Sequence, residues 1–366
     1  MREDFFDNYN KNTKANKPFG GAKLNVPVGV TSTYKGDIGI EIELEAKNYL
    51  PTDGHLENVT SPKSKTGWAS IRDGSLRGNS MEYILRQPCF VEEVSYLVDG
   101  LYKTINDHKT VLDISNRCST HVHINMTGQR VNTLTSIMAL WGVFEPFIIE
   151  WCGEERKTNH FCLSFKDSLS VINGWSTYLK TGSRKHFTRN LKYSAFNYLP
   201  LWDKGSIEFR CGRASDNSKF VTDFATFLYH FVTYVKNTYK DPSRIAHDLS
   251  ERGGHYILQE ICKDIPETFN EIFAAYGKSQ GSFNDDSIFN FRVVQGLCLG
   301  FNWHEWLPLI SEEYIPDPFT QTIRRVRLDR ARVGEDIDFE NLVRTQELIE
   351  EVQNTINFGV VNEARG

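Results

Sequence analysis

Four short segments of this sequence alternate apolar and polar residues, and their polar positions carry side chains that bind metal ions or phosphate groups. Successive side chains of a β-strand point to opposite faces of its sheet, so residues two apart share one face. If the four strands lie in one sheet with these faces aligned, carboxylates, imidazoles and a guanidinium group come within reach of one another. That arrangement suits a divalent cation with a bound polyphosphate. The segments span residues 38–45, 81–84, 118–125 and 207–211.

The first segment places Glu41 and Glu43 on one strand face, with Cα atoms roughly 6.6 Å apart. Repulsion between two such carboxylates costs about 0.6 kcal/mol in water and about 2.5 kcal/mol at an effective dielectric constant of 20. A single Glu-x-Glu pair usually lies on a solvated strand face, where this cost is small. Here the face runs through Gly39, Glu41, Glu43 and Glu45 without an interleaved Lys or Thr. We therefore expect a cation between these carboxylates if the face is buried.

The third segment contains a His-x-His pair, His121 and His123, three residues after Cys118. A zinc site would explain this combination, but the strand alternation places Cys118 on the face opposite both histidines. A single His-x-His pair is more often structural than catalytic. Beside a carboxylate wall, one histidine becomes a candidate metal ligand or phosphate contact, and the spacing leaves open which of the two it is.

Glu208 and Arg210 lie two residues apart in the fourth segment, most often the sign of a structural salt bridge. Alternatively, Glu208 binds a metal while the fork-shaped guanidinium of Arg210 binds phosphate. The basic stretch just upstream, which includes Lys185 and Arg189, is either a solvated loop or a source of positive charge over a polyphosphate. Several carboxylates with little nitrogen or sulfur favour Mg²⁺ or Mn²⁺ over zinc. Neither a G-x-x-x-x-G-K-[ST] loop nor a G-x-G-x-x-G fingerprint occurs, so a nucleotide would have to bind on the sheet itself.

The composition is that of an ordinary globular protein of 366 residues, of which 40% are hydrophobic. A net charge of −5 gives no reason to expect binding to nucleic acid or to an anionic membrane. Seven scattered cysteines without a C-x-x-C pair fit reduced thiols, and the N-terminus lacks the pattern of a signal peptide. The most apolar stretch, 131–152, contains Glu145, Pro146 and Glu150, which indicates a buried helix rather than a membrane span. We expect a cytoplasmic protein.

The hydrophobic periodicity predicts an α+β fold with an antiparallel or mixed sheet, because the strands concentrate before residue 215 and the helices after it. Residues 1–35 are polar and aperiodic, which is typical of a flexible leader. Predicted strands cover about 37–46, 68–71, 81–85, 118–125 and 206–211. Predicted helices cover about 91–108, 132–151 with a bend at Pro146, and 220–235 with Asp216 or Asn217 as the cap, followed by a helical pattern to a last helix at about 336–356.

The order of these motifs resembles that of the amidoligases, carboxylate–amine ligases related in fold to glutamine synthetase and glutamate–cysteine ligase. Many members of that family are encoded by phages and bacteria. The resemblance spans about residues 36 to 213, and each motif alone is weak. One departure is the stretch Leu85-Arg86-Gln87-Pro88, where the family commonly has a Ser-Pro-Pro-like sequence. The motifs that carry the resemblance are Gly39–Glu43, Trp68 with Asp73–Ser75, Glu82, His121–Ile124, Tyr193–Asn197 and Ile207–Arg210.

The resemblance implies a curved, mostly antiparallel sheet with helices on one face, together with ATP, two or more Mg²⁺ ions and an acyl-phosphate intermediate. It implies metal ligation by Glu41, Glu43, Glu82 and Glu208, with His121 or His123 as a metal or nucleotide ligand. Arg210 would contact phosphate, and Asn197 would contact the substrate or the nucleotide.

The sequence thus predicts a leader at 1–35, an amidoligase-like catalytic core at 36–240 and a helical part packed on it at 241–366. The expected activity is ATP- and Mg²⁺- or Mn²⁺-dependent ligation of a small-molecule or peptide carboxylate to an amine, in the host cytoplasm if a phage encodes the chain. Two alternatives remain: a phosphotransferase acting on an amine or guanidine, and a non-catalytic binding or structural protein. The oligomeric state stays open. In the ligase hypothesis, the catalytic residues are His121, Asn197 and Arg210, and the cofactor is bound by His123, Lys185, Arg189 and Arg210.

Overall fold

A six-stranded antiparallel sheet with helices packed against it forms the described part of the chain, which confirms the predicted α+β class. The computed structural model describes residues 36–165, 189–201, 204–239 and 243–278, single positions between 167 and 187, and the backbone of two short strands near residue 320. The strand order in the large sheet is β2-β3-β1-β4-β6-β5. Its strands are β1 (Ile38–Ala46), β2 (Trp68–Ile71), β3 (Asn79–Leu85), β4 (Ser119–Asn125), β5 (Phe196–Asn197) and β6 (Ser206–Arg213).

The helices supply the second layer. Helix α2 packs on α5, α5 crosses β1 and β4, and α3 lies against β6. Three short 3₁₀ turns, Val91–Glu93, Arg189–Tyr193 and Leu199–Leu201, lie between the longer elements. The helices are α1 (Asp53–Leu56), α2 (Val94–Asp107), α3 (Val131–Cys152), α4 (Glu154–Lys157), α5 (Ser218–Thr238), α6 (Ser243–Ile261) and α7 (Pro266–Lys278).

The core lies between the helices and one face of the sheet, as the alternation in β1 requires. Ile38, Ile40 and Ile42 all point toward the helices and are completely or almost completely buried. Trp141 of α3 packs its ring on Phe209 of β6 with centroids 4.8 Å apart. Each buried large apolar side chain stabilises the fold by roughly 1.5–3 kcal/mol, so this packing keeps the apolar face of the sheet against the helices.

A bulge interrupts the pairing of β4 and β6. Val122 lies opposite Phe209, but Thr120 lies opposite Gly212, so two residues of β6 face the single residue His121. Two adjacent residues of the bulge, Arg210 and Cys211, offer their carbonyl groups to the buried guanidinium of Arg156 on α4 (2.9 and 3.3 Å). The same guanidinium donates to the carbonyl of Cys118 (3.4 Å). One buried cation thus joins both strands where their regular ladder is broken.

The predicted boundaries of the elements before residue 240 agree with the structure to within a few residues. The helix expected from residue 91 begins as a 3₁₀ turn and becomes α-helical at Val94. Pro146 lies inside α3, which runs as one helix. Asn217 is the cap residue of α5 by position, but its side chain makes no capping hydrogen bond.

Beyond α7, the backbone of β7 (Tyr314–Pro316) pairs antiparallel with β8 (Ile323–Arg325), where the sequence pattern indicated helix. The leader at 1–35 and the last predicted helix at about 336–356 lie outside the described residues. Helix α3 is long and apolar enough to cross a membrane, but 89% of its apolar window is buried inside the fold, as in a core helix.

Candidate metal centre

The face of the sheet opposite the helices carries buried polar side chains from five strands, and we call it the polar face. Glu41 on the central strand β1 lies opposite His121 of β4, and Glu208 of β6 lies opposite His123. Gly39 also lies opposite His123, and a side chain at Gly39 would come within 3.3 Å of the His123 Cβ atom. The polar face comprises Gly39, Glu41, Glu43, Glu45, Glu82, Ser119, His121, His123, Asn197, Ser206, Glu208 and Arg210.

Glu41, His123 and Glu208 form the tightest group on this face. His123 Nε2 lies 3.2 Å from Glu41 Oε1 and 3.9 Å from Glu208 Oε1. One ligand atom from each residue falls within 4.8 Å of the other two. His123 Nε2 is buried and has no hydrogen-bond partner in the described structure. A buried ring nitrogen without a hydrogen-bond partner, beside two carboxylates, fits the role of a metal ligand.

The donor set fits a divalent ion. Neighbouring ligands of an octahedral Mg²⁺ or Mn²⁺ ion lie about 3 Å apart, since each bond is roughly 2.1 Å long. The 3.2 Å separation matches this value, the 3.9 Å separation is longer, and all three ligand atoms lie within 4.8 Å of one another. Two carboxylates favour Mg²⁺ or Mn²⁺, whereas a single imidazole nitrogen is also a ligand for other transition metals. The three residues Glu41, His123 and Glu208 can therefore hold one such ion.

Outer hydrogen bonds orient these three side chains. Ser206 Oγ lies 3.1 Å from His123 Nδ1, and this contact orients the imidazole ring with Nε2 toward the carboxylates. Asn197 donates its amide N–H to Glu208 Oε2 (2.6 Å), and Arg210 donates to Glu208 Oε1. Such partners fix the direction of a ligand before the metal arrives.

His121 is engaged at both ring nitrogens, which distinguishes it from His123. Its Nδ1 lies 3.4 Å from Glu41 Oε2, and its Nε2 lies 2.7 Å from Ser119 Oγ. Ser119 in turn donates its hydroxyl proton to Glu43. The structure therefore makes His123 the histidine with a nitrogen to offer and His121 a link between Glu41 and Glu43.

The carboxyl groups of the polar face differ in the direction in which their pKa values are shifted. Burial alone would raise the pKa of Glu41, but contacts with His121, His123 and Lys204 hold it well below its ordinary value. Burial would also raise the pKa of Glu208, but the charges of Arg210 and of the two histidines lower it. Both candidate ligands are thus ready to bind a cation.

Glu82 behaves in the opposite way. Burial, followed by repulsion from Glu41, Glu43 and Asp73, raises the pKa of Glu82 to about 8 despite the opposing charge of Lys204. Glu82 lies directly opposite Glu43 in the sheet. A carboxyl group in this position binds a proton at neutral pH unless a cation takes its place.

The structure brings together eight of the ten site residues predicted from the sequence, and separates them by role. Glu41, His123 and Glu208 form the metal group, whereas Glu43 and Glu82 lie beside it. Arg210 and Asn197 both contact Glu208, which makes Asn197 a positioning residue here. Lys185 and the side chain of Arg189 lie outside the described residues.

Lys204 and Ser119 are contacts that the sequence patterns missed. Lys204 donates to Glu41 Oε1 (3.1 Å) from the turn before β6. Ser119 could have been found, since it shares the strand parity of His121 and His123. Cys118 is buried in the core, and its side chain is not part of the metal group, in keeping with the argument against zinc.

In comparisons with known proteins, no family model matches the chain, and no curated protein matches it.

Proposed function

We propose that this protein is an ATP- and Mg²⁺- or Mn²⁺-dependent ligase that joins a carboxylate to an amine. The observation that carries the metal part is the convergence of Glu41, the unsatisfied His123 Nε2 and Glu208 on one buried face. ATP, the ligation reaction and the glutamine synthetase-like fold rest on the motif resemblance to the amidoligases. An antiparallel sheet with helices on one face supports that resemblance without identifying the family.

In this proposal, the polar face binds ATP through its metal-bound phosphates. A bound Mg²⁺ or Mn²⁺ ion would neutralise phosphate charge and orient the γ-phosphoryl group. Glu41, His123 and Glu208 hold the ion, while Arg210 supplies positive charge beside it. A substrate carboxylate oxygen attacks the γ-phosphorus and ADP leaves. The amine nitrogen then attacks the acyl carbon, the C–O bond to phosphate breaks, and amide, phosphate and a proton are released.

A metal titration tests the first half of the proposal. Mn²⁺ binding is followed by calorimetry for the wild-type protein and for Glu41→Gln. Removal of one ligand is expected to weaken binding by about 100-fold or more. Glu45→Gln is the matched control, because Glu45 lies on the same strand face but accepts the backbone N–H of Arg77 (2.7 Å) instead of joining the metal group. Equal Mn²⁺ affinity in wild type and Glu41→Gln would sink the metal assignment.

A product assay tests the second half. The protein is incubated with ATP, Mg²⁺ or Mn²⁺ and mixtures of carboxylates and amines, and products are identified by mass. The proposal requires ADP, phosphate and an amide. A phosphorylated amine or guanidine would instead support the phosphotransferase alternative. Absence of both metal and nucleotide binding at millimolar concentration would support a non-catalytic protein.

A further inference from the structure

The side chain of Lys204 reaches the candidate metal group from a turn with a fixed backbone. The N–H groups of Lys204 and Gly205 both donate to the carbonyl of Pro200 (2.7 and 3.0 Å), and Gly205 has a positive φ of 74° that favours glycine. The carbonyl of Gly205 accepts the N–H of Met126, next to the end of β4 (2.9 Å). The turn is thereby tied to the sheet, and the long side chain of Lys204 is the part that can move.

The ammonium group of Lys204 pairs with a carboxylate oxygen that belongs to the candidate metal group. Lys204 Nζ donates to Glu41 Oε1 at 3.1 Å, and the same oxygen lies 3.2 Å from His123 Nε2. The Lys204 side chain is 60% exposed, whereas the Glu41 side chain is 12% exposed. A buried carboxylate oxygen is therefore paired with a cation that can withdraw into solvent.

We propose that Lys204 fills the cation position beside Glu41 in the metal-free protein, and that a divalent ion displaces its ammonium group. This inference rests on the metal site of the proposed function. A divalent ion bound to Glu41 Oε1 repels a cation at hydrogen-bond distance from the same oxygen, and it neutralises the carboxylate charge that attracts the ammonium group of Lys204. Loading of the metal and release of Lys204 are then one event, which frees an ammonium group at the exposed edge of the polar face for an anionic group of the substrate.

The chemical reactivity of Lys204 reports its release. The folded protein is treated briefly with an amine-acylating reagent, with and without saturating Mn²⁺, and each lysine is quantified by mass spectrometry. Mn²⁺ is expected to raise the labelling rate of Lys204 by about fivefold or more, because an ion-paired ammonium is a poor nucleophile. Glu41→Gln should raise it without metal. Lys103, which pairs with Asp107 on α2, is the internal control and should not change.

Metal affinity provides an independent readout. Lys204→Gln removes the competing charge and is expected to bind Mn²⁺ about tenfold more tightly than wild type. Lys103→Gln makes the same change in net charge at a distance from the polar face and should leave the affinity unchanged. Weaker Mn²⁺ binding by Lys204→Gln would overturn the inference and make Lys204 a helper of the metal.

The outcomes also separate this inference from the proposed function. Metal binding that leaves Lys204 labelling unchanged overturns the displacement, even if ATP-dependent ligation is observed. Metal-dependent release of Lys204 without any amide product supports the displacement and counts against the ligase. Failure of Mn²⁺ to bind to any variant overturns both.

Discussion

Two buried carboxylate environments in this molecule meet the same electrostatic problem in different ways. Glu93, at the start of α2, accepts hydrogen bonds from the Ser61 hydroxyl and from the backbone N–H groups of Lys63, Ser64 and Phe90. Burial alone would raise its pKa, but these donors hold the pKa of Glu93 at about 2. Most of its hydrogen-bond donors are backbone N–H groups, so a cation cannot replace them in the folded protein.

Three carboxylates of the polar face, Glu41, Glu43 and Glu208, have side chains as their partners. Glu41 faces His121, His123 and Lys204, and Glu82 faces Glu43 across the strand pair. Side-chain partners can move, and a cation can replace them, whereas backbone amides cannot leave without unfolding. A buried carboxylate held by backbone N–H groups is therefore structural, whereas one held by side chains is a candidate binding site.

The largest expected effect comes from removing the structural carboxylate. Glu93→Ala leaves several buried donors unpaired and should lower the free energy of unfolding by about 3 kcal/mol, measured by denaturant titration. Mn²⁺ affinity should stay within about twofold of wild type. The folded pKa of Glu93 lies below its unfolded value of about 4.3. The stabilisation it provides is therefore complete above pH 4.3 and is lost as the pH falls toward 2.

A loss of Mn²⁺ binding in folded Glu93→Ala as severe as that in Glu41→Gln would erase the distinction between the two environments. Glu93→Gln is the milder companion, since its amide oxygen can still accept some of the same hydrogen bonds.

The second-largest effect is expected at Arg156, a buried cation whose hydrogen-bond partners are backbone groups, like most of those of Glu93. It is buried and gives its donors to backbone carbonyls at the β6 bulge, which carries Arg210 at the edge of the metal group. Arg156→Met should lower the free energy of unfolding by about 2 kcal/mol. Because the bulge helps to aim Glu208 and Arg210, we also expect Mn²⁺ affinity to fall several-fold. Arg156→Lys, which keeps the charge and some donors, should recover part of both losses.

A Mn²⁺ affinity that is unchanged in Arg156→Met, despite the loss of stability, would show that the bulge does not position the site. Arg156 would then be structural in the same sense as Glu93.

Asn197 tests the positioning of a ligand within the polar face itself. Its amide donates to Glu208 Oε2, while Glu208 Oε1 accepts from Arg210 and lies 3.9 Å from His123 Nε2. Asn197→Ala should weaken Mn²⁺ binding by about tenfold, the usual lower range for loss of an outer-shell hydrogen bond to a metal ligand. Ser164→Ala removes a side-chain hydrogen bond to an exposed carboxylate, Asp167, and serves as a control that should not alter metal affinity. Equal affinities of Asn197→Ala and wild type would remove Asn197 from the site.

Strand alternation predicted which side chains share a face within each strand, because a period of two assigns every residue of a buried strand to one side. The alignment of these faces in one sheet was a condition of the prediction, and the strand order and register meet it. The alternation placed Glu41, Glu43 and Glu208 together with the histidines and excluded Cys118. It could not distinguish His121 from His123, since that depends on which nitrogen the neighbouring strands satisfy.

Lys204 and Arg156 escaped prediction for related reasons. Lys204 lies in a turn, where no period applies, and reaches Glu41 across 163 positions of sequence. Arg156 acts through backbone carbonyls at a bulge, and the β6 sequence carries no mark of the extra residue. Both depend on tertiary register, which one sequence does not encode in a local pattern.

The smallest effect is expected at Glu82, where stability changes with pH in the direction opposite to that at Glu93. The folded pKa of Glu82, about 8, lies above its unfolded value of about 4.3. Glu82 therefore destabilises the metal-free fold progressively as the pH rises from 4.3 through 8. Glu82→Gln should be more stable than wild type at pH 8 by about 1 kcal/mol after solvent screening, and equal to it at pH 4. Denaturant titrations at both pH values measure this; a stability difference that does not vary with pH would contradict the raised pKa of Glu82 and with it both causes of that shift, burial and repulsion from Glu41 and Glu43.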